Sequence, residues 1–81
     1  MKPSLTDRQL EIVIMVGKEG KPWAQVCREL SCHPSTVRAH VRRVMKKMDI
    51  KRKPREAMVV AYYELKWTYK MLPVRLTTWG D

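Results

Sequence analysis

Acidic side chains are scarce in this sequence. Only 8 of its 81 residues are Asp or Glu, against 17 Lys and Arg, and the formal net charge is +9. A small protein this basic is expected to bind something negatively charged, and nucleic acid is the first candidate. The acidic residues also lie singly, and neither a Ser/His/Asp set nor a phosphate-binding loop is visible. We therefore expect neither enzyme activity nor a cofactor.

Cysteine is scarce as well, and long apolar runs are missing. No stretch approaches the roughly 18 apolar residues of a membrane span, and no apolar leader follows Met1. We therefore expect a cytoplasmic protein without a membrane segment, whose cysteines are reduced. Cys27, Cys32 and His33 are candidate zinc ligands, but no fourth ligand follows at the usual spacing, which argues against a metal site.

Start signals divide most of the chain into four helical segments. Thr6 and Gln9 form a capping box that predicts a first helix ending near Gly20. Pro34 and Pro54 suit first helical positions, because their missing N–H groups have no partner there. The second, third and fourth helices are predicted at 23–30, 34–48 and 54–66.

The remaining residues, 67–81, are too apolar for a solvated tail. We expect this C-terminal extension to pack on the preceding domain, residues 1–66, or on a partner. The predicted fold is therefore all-α, with four helices and an apolar extension.

The third predicted helix has two unlike sides. Along one side, apolar residues recur at helical spacing: Val37, Val41, Val44, Met45 and Met48. The other sides are almost entirely basic, and the basic run continues past the helix: from Arg38 to Arg55 there are nine Lys and Arg against Asp49 alone. Solvated faces normally mix charges of both signs, so this helix is predicted to contact nucleic acid.

The second and third segments together form a helix-turn-helix pattern. They are joined by about three residues, and such a pair can place its second helix in the DNA major groove. Arg38 and Arg42 lie one turn apart and can reach base edges with paired donors, while Ala39 offers a methyl contact or room for close approach. Ser35 and Thr36, near the start of the helix, can hold phosphates.

Several short motifs resemble one protein family. They are Leu5-Thr6-Asp7-Arg8-Gln9, Gly20, Val26-Cys27-Arg28-Glu29-Leu30, Ser35-Thr36-Val37-Arg38-Ala39-His40-Val41 and Lys46-Lys47-Met48. Over residues 5–65 the pattern resembles the LuxR/FixJ-type helix-turn-helix, and its Thr-Val-Arg-x-His-Val core is fairly specific. The resemblance implies a four-helix domain of a transcription regulator that binds double-stranded DNA as a homodimer through its last helix.

The resemblance also implies roles for single residues. Arg38, Ala39 and Arg42 occupy positions that typically face bases. Positions expected near phosphates, or positions next to them, are occupied by Thr36, Arg43, Lys46 and Lys47. The chain departs from the family where the third helix starts, because His33 before Pro34 replaces the common serine cap.

Family members usually carry a receiver or ligand-binding domain before this module, whereas this sequence begins just before the motif. We therefore expect a stand-alone small protein of a bacterial or phage-infected bacterial cell, not regulated by phosphorylation or an inducer in cis. His40 is expected to pack at a seam between helices rather than to contact a phosphate.

Surplus apolar surface leaves a second function open. The first and fourth helices and the extension carry more apolar side chains than one packed face needs, so they either enlarge the core or contact a partner. The possible dimer or partner surface comprises Met58, Tyr62, Tyr63, Trp67 and Trp79. The alternative function is therefore a protein-interaction module that docks on another regulator or on RNA polymerase. Sequence-independent DNA compaction, or RNA binding, ranks third, and a promoter-reading role in a polymerase complex rests on analogy alone.

Overall fold

A computed structural model describes residues 2–71, and the regular structure in that range is entirely helical. Helix α1 spans Asp7–Val13 and continues directly as a π-helical turn, Ile14–Lys18; α2 spans Trp23–Leu30; α3 spans Pro34–Met48; α4 spans Pro54–Tyr63 and continues as a π-helical turn, Glu64–Thr68. The predicted all-α architecture of four helices is confirmed. The division into a domain at 1–66 and an extension at 67–81 stays a prediction.

The starts of the helices follow the sequence signals. The Thr6 hydroxyl accepts from the Gln9 N–H at 3.1 Å, while the Gln9 side chain accepts from the Thr6 N–H at 3.1 Å, which completes the predicted capping box. Pro34 and Pro54 occupy the first turns of α3 and α4. The sequence therefore located these three helix starts correctly.

Helices α2 and α3 end in the same left-handed motif. Ser31 follows α2 with φ of 53° and Asp49 follows α3 with φ of 54°. After α2, the Cys32 N–H donates to the Cys27 carbonyl at 3.0 Å, and the N–H after Asp49 makes the equivalent bond at 2.9 Å. These are Schellman motifs, which satisfy helix carbonyls that would otherwise lack partners.

The surplus apolar surface of α1 is buried against the chain's own fourth helix. Residues 12–16 are all at most 5 % exposed. The following residue, Gly17, explains how closely the helices approach. A Cβ atom there would clash with the Met58 carbonyl oxygen and lie 3.0 Å from the Tyr62 Cβ. Only glycine leaves room for the α4 backbone at this crossing.

This crossing corrects part of the predicted partner surface. Met58 and Tyr62 are 0 % and 8 % exposed, because they pack inward where α4 crosses Gly17, so they belong to the core of one chain. Tyr63 and Trp67 are 54 % and 65 % exposed and agree with a surface position. Trp79 lies outside the described residues.

Beyond Trp67, the described part of the extension returns to the core. Tyr69 and Met71 are half-buried and pack against the core side chains. Whether residues 67–81 as a whole pack on this domain or on a partner stays a prediction.

Candidate nucleic-acid interface

The joint between α2 and α3 fixes the direction in which α3 leaves the body of the protein. His33 caps α3: its ring Nδ1 accepts from the Ser35 N–H at 3.1 Å and lies 2.9 Å from the Ser35 hydroxyl. The ring must keep Nδ1 unprotonated to accept this bond. His33 thus replaces the expected serine cap with a side chain that makes an equivalent hydrogen bond.

The outer face of α3 carries the predicted base-reading residues together. Arg38, Arg42 and Lys46 follow one another at four-residue intervals and are all exposed. They therefore follow one another about 6 Å apart along the helix axis. Ala39 lies beside them and is half-buried. The other exposed predicted residues of this helix are Ser35, Thr36, Arg43 and Lys47.

The inner face of the same helix holds it on the protein. Val37, Val41 and Val44 are at most 2 % exposed, and Met48 is 8 % exposed. Because the apolar stripe faces inward, the basic side chains must point away from the core. The apolar and basic sides of the sequence pattern therefore correspond to one buried face and one exposed, charged face of α3.

The charges on the outer face of α3 are not compensated by nearby carboxylates. Among residues 2–71, the ion pairs join Arg8 to Glu11 and Lys21 to Glu19 and Glu29. None of these ion pairs involves a basic side chain of α3. Uncompensated cations at regular spacing attract phosphates and release counterions on binding, so this face is suited to a nucleic-acid backbone.

Lys47 differs from its neighbours. Its ammonium donates to the Ser4 carbonyl at 2.7 Å and to the Gln9 side-chain oxygen at 3.2 Å. Gln9 is itself 3 % exposed and belongs to the capping box of α1. Two of the three donors of Lys47 therefore tether the end of α3 to the start of α1. One donor of Lys47 is left for DNA, whereas its basic neighbours on α3 make no such tether within residues 2–71.

His40 occupies a half-buried position on the flank of α3. Its Nδ1 is buried without a hydrogen-bond partner. Burial lowers the pKa of the imidazole below its ordinary value of 6.5, and the positive charges of Arg43 and Arg8 lower the pKa further. The neutral ring is therefore favoured, in keeping with the predicted packing role.

An apolar groove of about 240 Å³ lies between α2, α3 and the start of α4. Its walls are formed by Trp23, Cys27, Pro34, Val37, Arg38, Val41 and Pro54. The groove thus borders one of the two predicted base-reading arginines.

Arg55 makes contacts within the protein that its place in the basic run did not predict. Its guanidinium lies 5.1 Å from the centre of the Trp23 ring and donates to the Lys21 carbonyl at 2.9 Å. It therefore holds the start of α4 on the start of α2. The contact joins positions far apart in the chain, so local sequence carries no signal for it.

The family model for the luxR family of bacterial regulatory proteins, GerE, matches residues 3–61. The chain belongs to this family. LuxR-family domains are helix-turn-helix domains of DNA-binding regulators and are generally not enzymes, and the all-helical fold agrees with this assignment. Searches of curated proteins and of solved structures returned no match.

Within residues 2–71, no helix is both long and apolar enough to cross a bilayer. In the same range, three or more His, Cys, Asp or Glu side chains do not come together in a way that could hold a metal ion.

Proposed function

We propose that this LuxR-family protein is a sequence-specific regulator of transcription that places α3 in the major groove of double-stranded DNA. The observation that carries the proposal is the outer face of α3, where Arg38, Arg42 and Lys46 stack one turn apart without a carboxylate partner among residues 2–71. A single helix of this kind fits the width of the groove. We place this activity in the bacterial cytoplasm.

In this proposal Arg38 and Arg42 read base edges. Each guanidinium offers paired donors that match the two acceptors of guanine in the major groove. Ala39, between them on the same side of the helix, permits close approach or contacts a thymine methyl group. These contacts determine which sequence is bound.

Phosphate contacts come from both ends of the same helix. Ser35 and Thr36 lie in its first turn, and Arg43 and Lys46 lie further along, all exposed. The exposed loop Lys51–Lys53, directly before α4, adds more positive charge. Such contacts anchor the protein on any sequence and make binding dependent on salt.

A homodimer is supported by the exposed side of α4. Val59, Tyr63 and Trp67 follow at four-residue intervals and are 36 %, 54 % and 65 % exposed. They form an apolar stripe that replaces the buried Met58 and Tyr62 as the dimer surface. The variant Tyr63→Ser/Trp67→Ser should sediment as a monomer at concentrations where the unmodified protein is dimeric, whereas an unchanged dimer would remove this stripe from the interface.

The proposed function is tested by selecting bound fragments from a random duplex pool at physiological salt. We expect one enriched motif, whose half-site spacing reports the geometry of the dimer. The double variant Arg38→Ala/Arg42→Ala should lose this enrichment. The control Lys18→Ala/Lys70→Ala removes the same charge from exposed positions outside α3 and should keep the motif.

The apolar stripe of Val59, Tyr63 and Trp67 favours a second candidate function. This is a protein-interaction module that docks on another regulator or on RNA polymerase. Exposed Tyr and Trp side chains are frequent anchors of protein interfaces. The selection experiment separates the two functions, because a docking module needs no preferred duplex and would show no enrichment.

A further inference from the structure

The two cysteines of the chain are joined by a backbone hydrogen bond at the turn of the helix-turn-helix. Cys27 lies in the last turn of α2 and Cys32 lies just after the left-handed residue Ser31. The Cys32 N–H donates to the Cys27 carbonyl at 3.0 Å, and the Ser31 N–H donates to the Arg28 carbonyl at 3.2 Å. This pair of bonds defines a Schellman motif. Side chains at the two cysteine positions of that motif are typically in contact.

Both thiols are available for chemistry. Neither cysteine is in a disulfide, and both are half-buried rather than sealed in the core. A disulfide requires Cα atoms within about 4.4–6.8 Å, a spacing that a direct backbone hydrogen bond between the two residues brings within reach. The loop to be closed runs only from residue 27 to residue 32.

We propose that Cys27 and Cys32 form a reversible intramolecular disulfide that weakens DNA binding. The first part stands on the geometry of the joint alone, and the second part rests on the proposed function. Disulfides are rare in a reducing compartment, and those that form there are usually transient and act in catalysis or redox sensing.

The oxidant is a small-molecule disulfide such as oxidised glutathione. One cysteine thiolate attacks this disulfide, forms a mixed disulfide and releases one small thiol. The second cysteine thiolate then attacks the protein sulfur of the mixed disulfide and releases the second small thiol. The protein loses two thiol protons and two electrons, and one small disulfide is reduced to two thiols.

The joint connects this bond to the recognition helix. In the reduced form, the Cys32 thiol donates to the Leu30 carbonyl at 3.4 Å, and the Cys27 side chain lines the groove beside Arg38. The disulfide removes that donor and turns both sulfurs toward each other. Since Pro34 begins α3 two residues after Cys32, the rearrangement shifts the start of the helix that carries Arg38.

The experiment equilibrates the full chain in buffers of oxidised and reduced glutathione, followed by blocking of free thiols. Trypsin cuts after Arg28, between the two cysteines, so the disulfide is detected as peptides 19–28 and 29–38 joined to each other. We expect the joined peptides in protein that migrates as a single chain under denaturing, non-reducing conditions, and their separation on reduction. Stable glutathione adducts, cross-linked dimers or unreacted thiols would overturn the proposal.

DNA binding is measured on the same samples with the selected duplex. The oxidised protein should bind at least about fivefold more weakly than the reduced protein, and reduction should restore the affinity. Equal affinities, with the joined peptides present, would overturn the coupling while leaving the disulfide established. Failure of the reduced protein to prefer any duplex would instead count against the proposed function.

Two variants guard against an indirect effect of oxidation. Cys27→Ser and Cys32→Ser each leave one thiol, and neither can form the internal bond. Their affinity for DNA should not respond to the glutathione ratio. A response in either variant equal to that of the unmodified protein would assign the effect to another group and contradict the proposal.

Discussion

The crossing of α1 and α4 and the outer face of α3 are built in opposite ways. At the crossing, residues 12–16 are at most 5 % exposed and Gly17 lies against the backbone of α4. On the outer face, basic side chains are exposed and lack carboxylate partners among residues 2–71. The first region determines stability through packing, whereas the second contributes charge and little packing. We therefore expect stability and DNA binding to be separable by mutation in this chain.

The largest expected effect lies at the crossing. Gly17→Ala should lower the free energy of unfolding by about 3 kcal/mol, because the added methyl group meets backbone atoms that cannot move aside easily. Chemical denaturation followed by circular dichroism measures the loss.

Gly20→Ala is the matched control. Gly20 has φ of 66° and nothing within 4 Å of an added Cβ, so this substitution costs only the left-handed strain of about 1 kcal/mol. Equal losses for the two variants would show that α1 and α4 are not in close contact at Gly17.

The next effect lies on the outer face of α3. Arg42→Ala should cost about 1–3 kcal/mol on the selected duplex and relax the choice at one base pair, because a base-reading side chain is removed. Lys46→Ala should instead weaken binding to selected and scrambled duplexes alike. Titrations with both duplexes measure the difference, and parallel losses for the two variants would contradict the assigned roles.

A smaller effect is expected where α3 ends. Asp49→Gly should raise the free energy of unfolding by about 1 kcal/mol, because it relieves left-handed strain and removes a negative charge from a helix C-terminus. Ser31→Gly, at the equivalent position after α2, relieves strain without a change of charge and should give less. Thermal and chemical unfolding compare the two, and a larger gain at Ser31 would contradict the contribution from charge.

The smallest effect is a pH dependence caused by His40. Its pKa is lowered in the folded protein, so the unfolded chain binds more protons as the pH falls through the ordinary value of 6.5. Stability should therefore decrease from about pH 7.5 to about pH 5.5, and less so in His40→Leu. The difference between the two proteins isolates the contribution of His40. Parallel pH profiles would show that His40 does not contribute.

The sequence predicted the helices well because their starts are local. The capping box of Thr6 and Gln9 and the prolines of α3 and α4 act within one turn of the chain. It did not predict that Met58 and Tyr62 are buried, because their partner is Gly17, and the signal is the absence of a side chain far away in the sequence.

In the candidate interface, too, local features could be predicted from the sequence and contacts between distant residues could not. The exposed positions of Arg38 and Arg42 follow from helical periodicity, because they lie on a different side of the helix from the buried valines. Lys47 and Arg55 have the same charge and lie in the same basic run, yet they donate to Ser4 and to the Lys21 carbonyl. Such contacts depend on how the helices pack, so composition and spacing cannot separate them from residues free to bind DNA.

The separation of stability from binding is tested most directly in one protein, Arg38→Ala/Arg42→Ala, by measuring both its unfolding free energy and its affinity for the selected duplex. We expect the unfolding free energy to stay within about 0.5 kcal/mol of the unmodified protein, while the affinity falls at least about a hundredfold. Retained affinity, or a loss of stability large enough to explain weaker binding, would contradict the assignment of the outer face of α3 to DNA.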